Sequence, residues 1–368
     1  MNKPVSVVIS GYYGFGNAGD EAMLSSIIEA LTELEPKINI TVLSGNPVDT
    51  RRRHGVKAVY RLNYPGILKA LKKCNLLISG GGSLLQDVTS ERSLYYYLSI
   101  MLLAKKLGKK VMLYGQGIGP VGNSVAQSAV RTVGNKLDLI TVRDDGSKKE
   151  LERLGIVKPR VVVTADPVLA AHPVDRHWGR NILRRHGLEG IAPLIGFSVR
   201  EWKGWQRYKD IIAEAADRMV EDFGARIVFL PMQWPDDLSV AEKITAAMKH
   251  PALVLTEEYT TAELLSLTGN MSMLLGIRLH ALIFAAVMQV PLMGISYDPK
   301  IDRFLETIGD SPAGTLETIT ADMILEQAWH LLQDGGNVVG KRSEQMGELR
   351  RKAFYNAELA LELIESDK

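Results

Sequence analysis

Short, nearly continuous apolar runs alternate with amphipathic stretches along the whole chain. In the first half the runs are 5–10 (VSVVIS), 38–43 (INITVL), 75–79 (NLLIS), 110–115 (KVMLYG), 138–142 (DLITV) and 160–164 (RVVVT). Between them lie helical patterns such as 20–35, where Met23, Ile27, Leu31 and Leu34 form one stripe and Pro36 ends the helix. Strands without polar alternation are buried on both faces, which means a parallel sheet covered by helices. The pattern loosens at 166–192 and restarts with runs at 194–199, 226–231, 252–255, 271–275 and 291–296. The expected fold is α/β: two Rossmann-like domains facing a cleft, of the GT-B kind. The first spans 1–170, a hinge or linker 171–192, and the second 193–368, closing on a charged helix at about 341–366.

Length and charge narrow the function classes. The chain has 368 residues, enough for two cores, and a net charge of +2 that gives no global field for nucleic acid. A single cysteine, Cys74, excludes an intrachain disulfide and suits a reducing cytoplasm. The seven histidines show no metal-binding pair spacing, so neither metal nor cofactor is expected. The opening MNKPVSVVIS is too short and too soon interrupted for a signal peptide, and the longest apolar stretch, ALIFAAVM (281–288), is less than half a membrane span. A cytoplasmic location is expected. Positive charge is nonetheless clustered at 51–54 (RRRH), 69–73 (KALKK) and 105–110 (KKLGKK). These runs read either as solvated helix faces or as a patch that meets anionic lipid head groups at the inner membrane face.

The stretch GYYGFGNAGDE (11–21) comes directly after the first run and matches G-x-G-x-x-G at Gly14, Gly16 and Gly19. A dinucleotide site also needs an acid at the end of the second strand to grip the ribose. Here Ser44, Gly45 and Asn46 occupy that place, and no arginine stands in for a 2′-phosphate, so the nicotinamide reading fails. The turn still offers a flexible backbone at a helix start, with Asn17 and Asp20 either pointing polar groups into the cleft or capping the helix.

Other strand ends carry similar chemistry. SGGGSLLQD (79–87) offers Gly82 and Gln86, and YGQGIGP (114–120) offers Gln116. Arg143 ends the 138–142 run, facing the crevice or pairing with Asp144 or Asp145, and Asp166 in TADPVL either orients ligand or caps a turn. In SVREWKGW (198–205), Arg200, Trp202 and Trp205 form a rim for sugar stacking or a plain surface loop; TTAE (260–263) has capping-box spacing. The richest segment is GIRLHALIFAA (276–286). Arg278 and His280 there precede an apolar helix, at the N-terminus that favours phosphate or carboxylate. Lys300, in YDPKIDRF, lies just past the next strand and would join them if the two strands are neighbours.

Taken together, GYYGFGNAGDEA, SGGGSLLQD, YGQGIGP, TVRDDGS, TADPVL, GIRLHALIFAA and ISYDPK resemble the polysaccharide pyruvyltransferases, in particular the CsaB-type enzymes of bacterial cell-wall polymer synthesis. The resemblance spans essentially the whole chain. It implies a ketal-forming transfer from phosphoenolpyruvate to a 4,6-diol of β-N-acetylmannosamine in a lipid-diphosphate-linked ManNAc–GlcNAc acceptor. It also implies donor binding by Arg143, Arg278, His280 and Lys300, with His280 catalytic. Asp20 is the expected second catalytic group, and Gly14, Gly16, Asn17, Gly82, Gln86, Gln116 and Asp166 the expected acceptor side. The alternative is a GT-B glycosyltransferase using a sugar nucleotide.

Overall fold

The computed structural model describes residues 4–87, 90–188, 190 and 192–366. They divide into two compact units. The first holds residues up to Phe15, Asp20–Ala171 and the end of the chain from Glu348; the second holds Gly16–Gly19 and His172–Gly347.

The sheet of the first unit has seven parallel strands: β1 (Ser6–Ser10), β2 (Asn39–Ser44), β3 (Lys57–Tyr60), β4 (Leu76–Gly80), β5 (Lys110–Gln116), β6 (Leu139–Val142) and β7 (Arg160–Val163). Alternate residues along each strand feed opposite faces. Val7, Ile9, Val42, Leu76 and Ile78 join Leu24, Ile27 and Leu31 of the Ala18–Leu34 helix and Leu359, Ala360 and Ile364 near the chain end. Val8, Leu43, Leu77 and Val111 pack instead on Ile67, Leu71, Leu94 and Met101. Each fully buried leucine or isoleucine contributes about 1.5–3 kcal/mol. A near-continuous apolar run is what such a two-faced strand requires. Asn356, fully buried, joins the chain end to this sheet by accepting from Thr141 at 2.5 Å and from Thr164 at 2.8 Å.

The sheet of the second unit comprises β8 (Leu194–Ser198), β9 (Arg226–Phe229), β10 (Leu253–Val254), β11 (Met273–Gly276), β12 (Leu292–Ser296) and β13 (Gly314–Thr315), also parallel. Ile195, Phe197, Ile227, Phe229, Met273 and Leu275 make one face with Tyr208, Ile212, Met219 and Ile324.

Strand order positions the site. The first sheet runs β3-β2-β1-β4-β5-β6-β7 and the second β10-β9-β8-β11-β12-β13. Order reverses between β1 and β4, and again between β8 and β11, and ligands of such sheets bind at the carboxyl ends beside those reversals. GYYGFGNAGDE extends from the end of β1 and SGGGSLLQD from that of β4; SVREWKGW extends from β8 and GIRLHALIFAA from β11.

Three elements differ from expectation. β3 and β13 escape a search for apolar runs, because β3 is a four-residue edge strand beginning at Lys57 and β13 is two residues long. The closing helix runs Ala321–Glu365, twenty residues earlier than its charged part suggested. Ile324, Leu325, Ala328 and Leu331 hold its first half on the second sheet despite the glycines further along. Residues from Glu348 onward cluster with the first unit. Among the described residues, no helix is long and apolar enough to cross a membrane.

Candidate functional site

In the first unit the loop after β1 is tied down by residues that motif reading overlooks. Gly14 has φ +78°, and a Cβ there would collide with the Asn46 amide and the Ser44 hydroxyl. Its N–H donates to Glu21 Oε1 at 2.7 Å, and Glu21 Oε2 meets His54 Nε2 at 2.9 Å, both side chains being about nine-tenths buried. Glu21 sits just past the glycine string, and nothing in its spacing separates it from an ordinary first-turn acid.

Asp20, in the first turn of the Ala18–Leu34 helix, lies 3.3 Å from where a Cβ of Gly82 would stand, so the loops after β1 and β4 meet there. Two buried phenols flank it. Burial first, and the Asp20 charge next, push the Tyr13 hydroxyl well above its ordinary range. Burial likewise raises Tyr97, with Arg61 opposing and Asp20 adding. Both hydroxyls therefore stay protonated donors, and neither has a hydrogen-bond partner among the described residues.

The other expected first-unit residues serve the scaffold in this structure. Gln116 is fully buried and donates to Ser79 Oγ at 3.0 Å. Gln86 packs against Gly119. Asp87 accepts the amides of Gly122 and Asn123; although burial opposes it, these bonds hold its carboxyl below the usual range. Arg143 lies 2.6 Å, at its Cζ, from where a Cβ of Gly117 would be, and donates to Asp166 Oδ2 at 3.1 Å, with Asp144 at 3.7 Å. Of the two expectations for Arg143, pairing is observed, chiefly with an acid at the end of the neighbouring strand. Asp166 also caps the turn at Pro167–Ala170 through the Val168 amide, and Asp144 caps the Asp145–Arg153 helix.

The second unit gathers its cations at the β8/β11 reversal. Gly276 of β11 pairs with Ser198 of β8 and Gly294 of β12. Arg200 and Arg278 thus each stand two residues beyond paired strand ends, and Lys300 lies past the end of the adjacent strand, as the neighbour condition required. Arg278 is the extended residue before the Leu279–Val287 helix, and His280 sits in that helix's first turn. The Arg278 fork grips Asp237, donating from Nε to Oδ2 at 2.9 Å and from Nη2 to Oδ1, with Gln233 Oε1 at 3.2 Å. Asp237 has no exposed surface and accepts the Met232 and Gln233 amides as well. Such a fully bonded buried acid fixes the guanidinium plane.

Residues Gly16–Gly19 join this cluster. Ala18 N–H donates to Met232 O at 2.7 Å, Trp234 N–H to Gly16 O at 3.1 Å, and Asn17 bridges Gln233 antiparallel. Asn17 Oδ1 accepts from Gly19 at 3.0 Å, opening the helix. A Cβ on Gly19 would collide with His280 Nδ1 and stand only 2.6 Å from its Cγ, so this glycine is needed for the imidazole to stand where it does.

Arg200 stands at the same reversal, two residues past Ser198. Its guanidinium lies over the rings of Tyr297 (4.6 Å) and Trp202 (5.5 Å) and donates to the Tyr297 hydroxyl. Neighbouring charges are paired: Arg278 with Asp237, Lys300 with Asp298 at 3.3 Å, Glu201 with Lys209 at 2.8 Å. Arg200 has no ion pair among the described residues, and its buried Nε has no acceptor. Its position beside a strand reversal could have marked it; two nearby tryptophans suggested sugar stacking instead. Thr260 and Glu263 form the expected capping box.

These features define an α/β protein of the GT-B type. The fold is similar to that of S. aureus MnaA in its UDP co-structure (TM-score 0.67, 16% identity, 97% of this chain and 94% of that one). It is also similar to Neisseria meningitidis UDP-GlcNAc 2-epimerase bound to UDP-GlcNAc (TM-score 0.66, 12%, 98% and 99%). The sequence profile of the polysaccharide pyruvyl transferase family matches residues 17–299, and the chain belongs to that family. The amylovoran biosynthesis protein AmsJ of Erwinia amylovora is 22% identical over 364 residues, covering 83% of this chain and 86% of the relative. The protein is a transferase that moves a pyruvyl group to a polysaccharide.

Proposed function

We propose that the donor is phosphoenolpyruvate and that the acceptor is the 4,6-diol of a β-N-acetylmannosamine in a lipid-diphosphate-linked ManNAc–GlcNAc precursor of a secondary cell-wall polymer. The cationic strand ends beside His280 carry this reading. Phosphoenolpyruvate has two anionic groups on a three-carbon frame. Arg200, Arg278, Lys300 and the N-terminus of the Leu279–Val287 helix supply fixed positive ends for them. Arg143, oriented by Asp166, is proposed as a further donor-binding cation.

His280 gives a proton to C3 of the enol, leaving an oxocarbenium-like C2. One sugar hydroxyl adds to C2 and loses its proton; the second hydroxyl then displaces phosphate, which leaves with that hydroxyl's proton, closing the ketal. Asp20 is the proposed acceptor of a hydroxyl proton, near the neutral phenols of Tyr13 and Tyr97. Gly14, Gly16, Asn17, Gly82, Gln86, Gln116 and Asp166 are proposed to shape the acceptor side, Gln116 and Asp166 from beneath. The chain works in the cytoplasm, with peripheral contact at the inner membrane face where such an acceptor is anchored.

The test is incubation with phosphoenolpyruvate and the lipid-diphosphate disaccharide, then mass spectrometry. One pyruvylidene group gained per phosphate released is expected. Consumption of a sugar nucleotide, with phosphoenolpyruvate untouched, would instead establish a glycosyltransferase.

A further inference from the structure

The loops after β2 and β3 leave the first sheet at one corner, since Ser44 and Tyr60 end paired strands at its edge. Residues 47–73 hold eight lysines and arginines against one acid, Asp49, whereas the chain as a whole is nearly neutral. Asp49 is itself bonded to Arg52 at 2.6 Å and Arg53 at 2.7 Å. The corner is thus a strongly basic island on a chain whose remaining residues carry net negative charge.

The same stretch exposes large apolar side chains. Val48 is 68% exposed, Tyr60 47%, Leu62 50% and Tyr64 57%. Their backbone is held firmly: Asn46 caps the Pro47–His54 helix, Asn63 caps the Tyr64–Lys73 helix, and a proline sits in the first turn of each. The Tyr64–Lys73 helix buries Ile67 and Leu71 and turns Lys69, Lys72 and Lys73 to solvent. Arg61 stacks on Tyr96 at 4.3 Å and Phe15 at 5.3 Å, so the corner adjoins the glycine-rich loop, and it has no ion pair among the described residues.

We propose that this corner docks on an anionic bilayer surface, with Leu62, Tyr60, Tyr64 and Val48 entering the head-group region and Lys69, Lys72, Lys73, Arg51 and Arg52 meeting lipid phosphates. Charge alone would suit any polyanion. A rigid tip of leucine, valine and two tyrosines gives a polyanion nothing to hold, but it fits the interface, where tyrosine rings and short apolar insertions are stable. Lys57 on the edge strand opposes pairing with a second copy's edge. The inference rests on the reading of the acceptor as lipid-linked, since docking brings the loop after β1 to the leaflet that anchors it.

The full chain is sedimented with phosphatidylcholine vesicles, with and without phosphatidylglycerol. Binding to the anionic vesicles alone, weakened by salt, is expected. Lys69→Glu/Lys72→Glu should lower that binding at least about tenfold, and Leu62→Ser/Tyr64→Ser severalfold. Both variants should melt like the parent and turn over a lipid-free acceptor analogue at the parent rate, while losing rate on the vesicle-anchored acceptor. Undiminished vesicle binding in both variants would overturn the proposal. So would absence of vesicle binding with retention on immobilised polyanion, which would assign the surface to a polymer. Vesicle binding without phosphate release from phosphoenolpyruvate on any acceptor would instead defeat the reaction assignment and leave the docking surface standing.

Discussion

The two strand reversals are built from opposite materials. Beside β1 and β4, glycines let backbones approach one another, buried phenols surround Asp20, and the nearby cation Arg143 is matched by Asp166. Beside β8 and β11, cations are clustered; buried Asp237 fixes one of them, and Arg200 is left without a counter-ion among the described residues. Protonated phenols near a carboxylate, with the local cation already paired, suit a neutral polyol. A site with unmatched positive charge suits a small anion. One fold plan, used twice, carries different loops at its two sets of strand ends.

The largest effect should come from His280→Ala. Losing a positioned proton donor lowers turnover by about 10²–10⁴-fold, while donor affinity changes much less; phosphate-release kinetics separate the two. An unchanged turnover would move the chemistry away from the second reversal. Gly19→Ala comes next. Its Cβ must displace the imidazole, and a shift of about 1 Å in a reacting group costs on the order of 10²-fold, seen as a fall in kcat with the far-ultraviolet spectrum unchanged.

Asp237→Asn removes the charge and leaves one oxygen to serve both the Arg278 guanidinium and the Met232 and Gln233 amides. Breaking a buried pair costs about 3–5 kcal/mol, so the denaturant midpoint should fall and the donor KM should rise. A rise in KM without destabilisation would make Asp237 less a structural clamp than its burial implies. The smallest effect concerns Cys74. Burial raises its thiol to about 11, so it stays protonated through neutral pH and should resist alkylation until the protein unfolds. Rapid labelling at neutral pH would mean that the first core opens readily.

The sequence exposed the fold well because two-faced strands must be apolar throughout, and few other structures ask for that. It lost β3 and β13 because short edge strands need not be apolar. Candidate site positions were legible where a strand end and a helix start coincide, as at Arg278 and His280. Partners were not. Asp237 lies forty-one residues from Arg278 and carries no motif, and the Glu21–His54 pair spans thirty-three residues. Packing by the glycines was not legible either: Gly80 makes room for the Tyr13 hydroxyl and Gly117 for Arg143.

Calorimetric titration of phosphoenolpyruvate into the parent, Arg200→Met and Tyr97→Phe proteins separates the two reversals directly. Losing a charge-assisted hydrogen-bond donor costs about 1.5–3 kcal/mol, so Arg200→Met should bind the donor roughly tenfold to a hundredfold more weakly and Tyr97→Phe with parent affinity. Parent affinity in Arg200→Met, together with loss in Tyr97→Phe, would mean that the donor anion is held at the first sheet's strand ends and not at the second's.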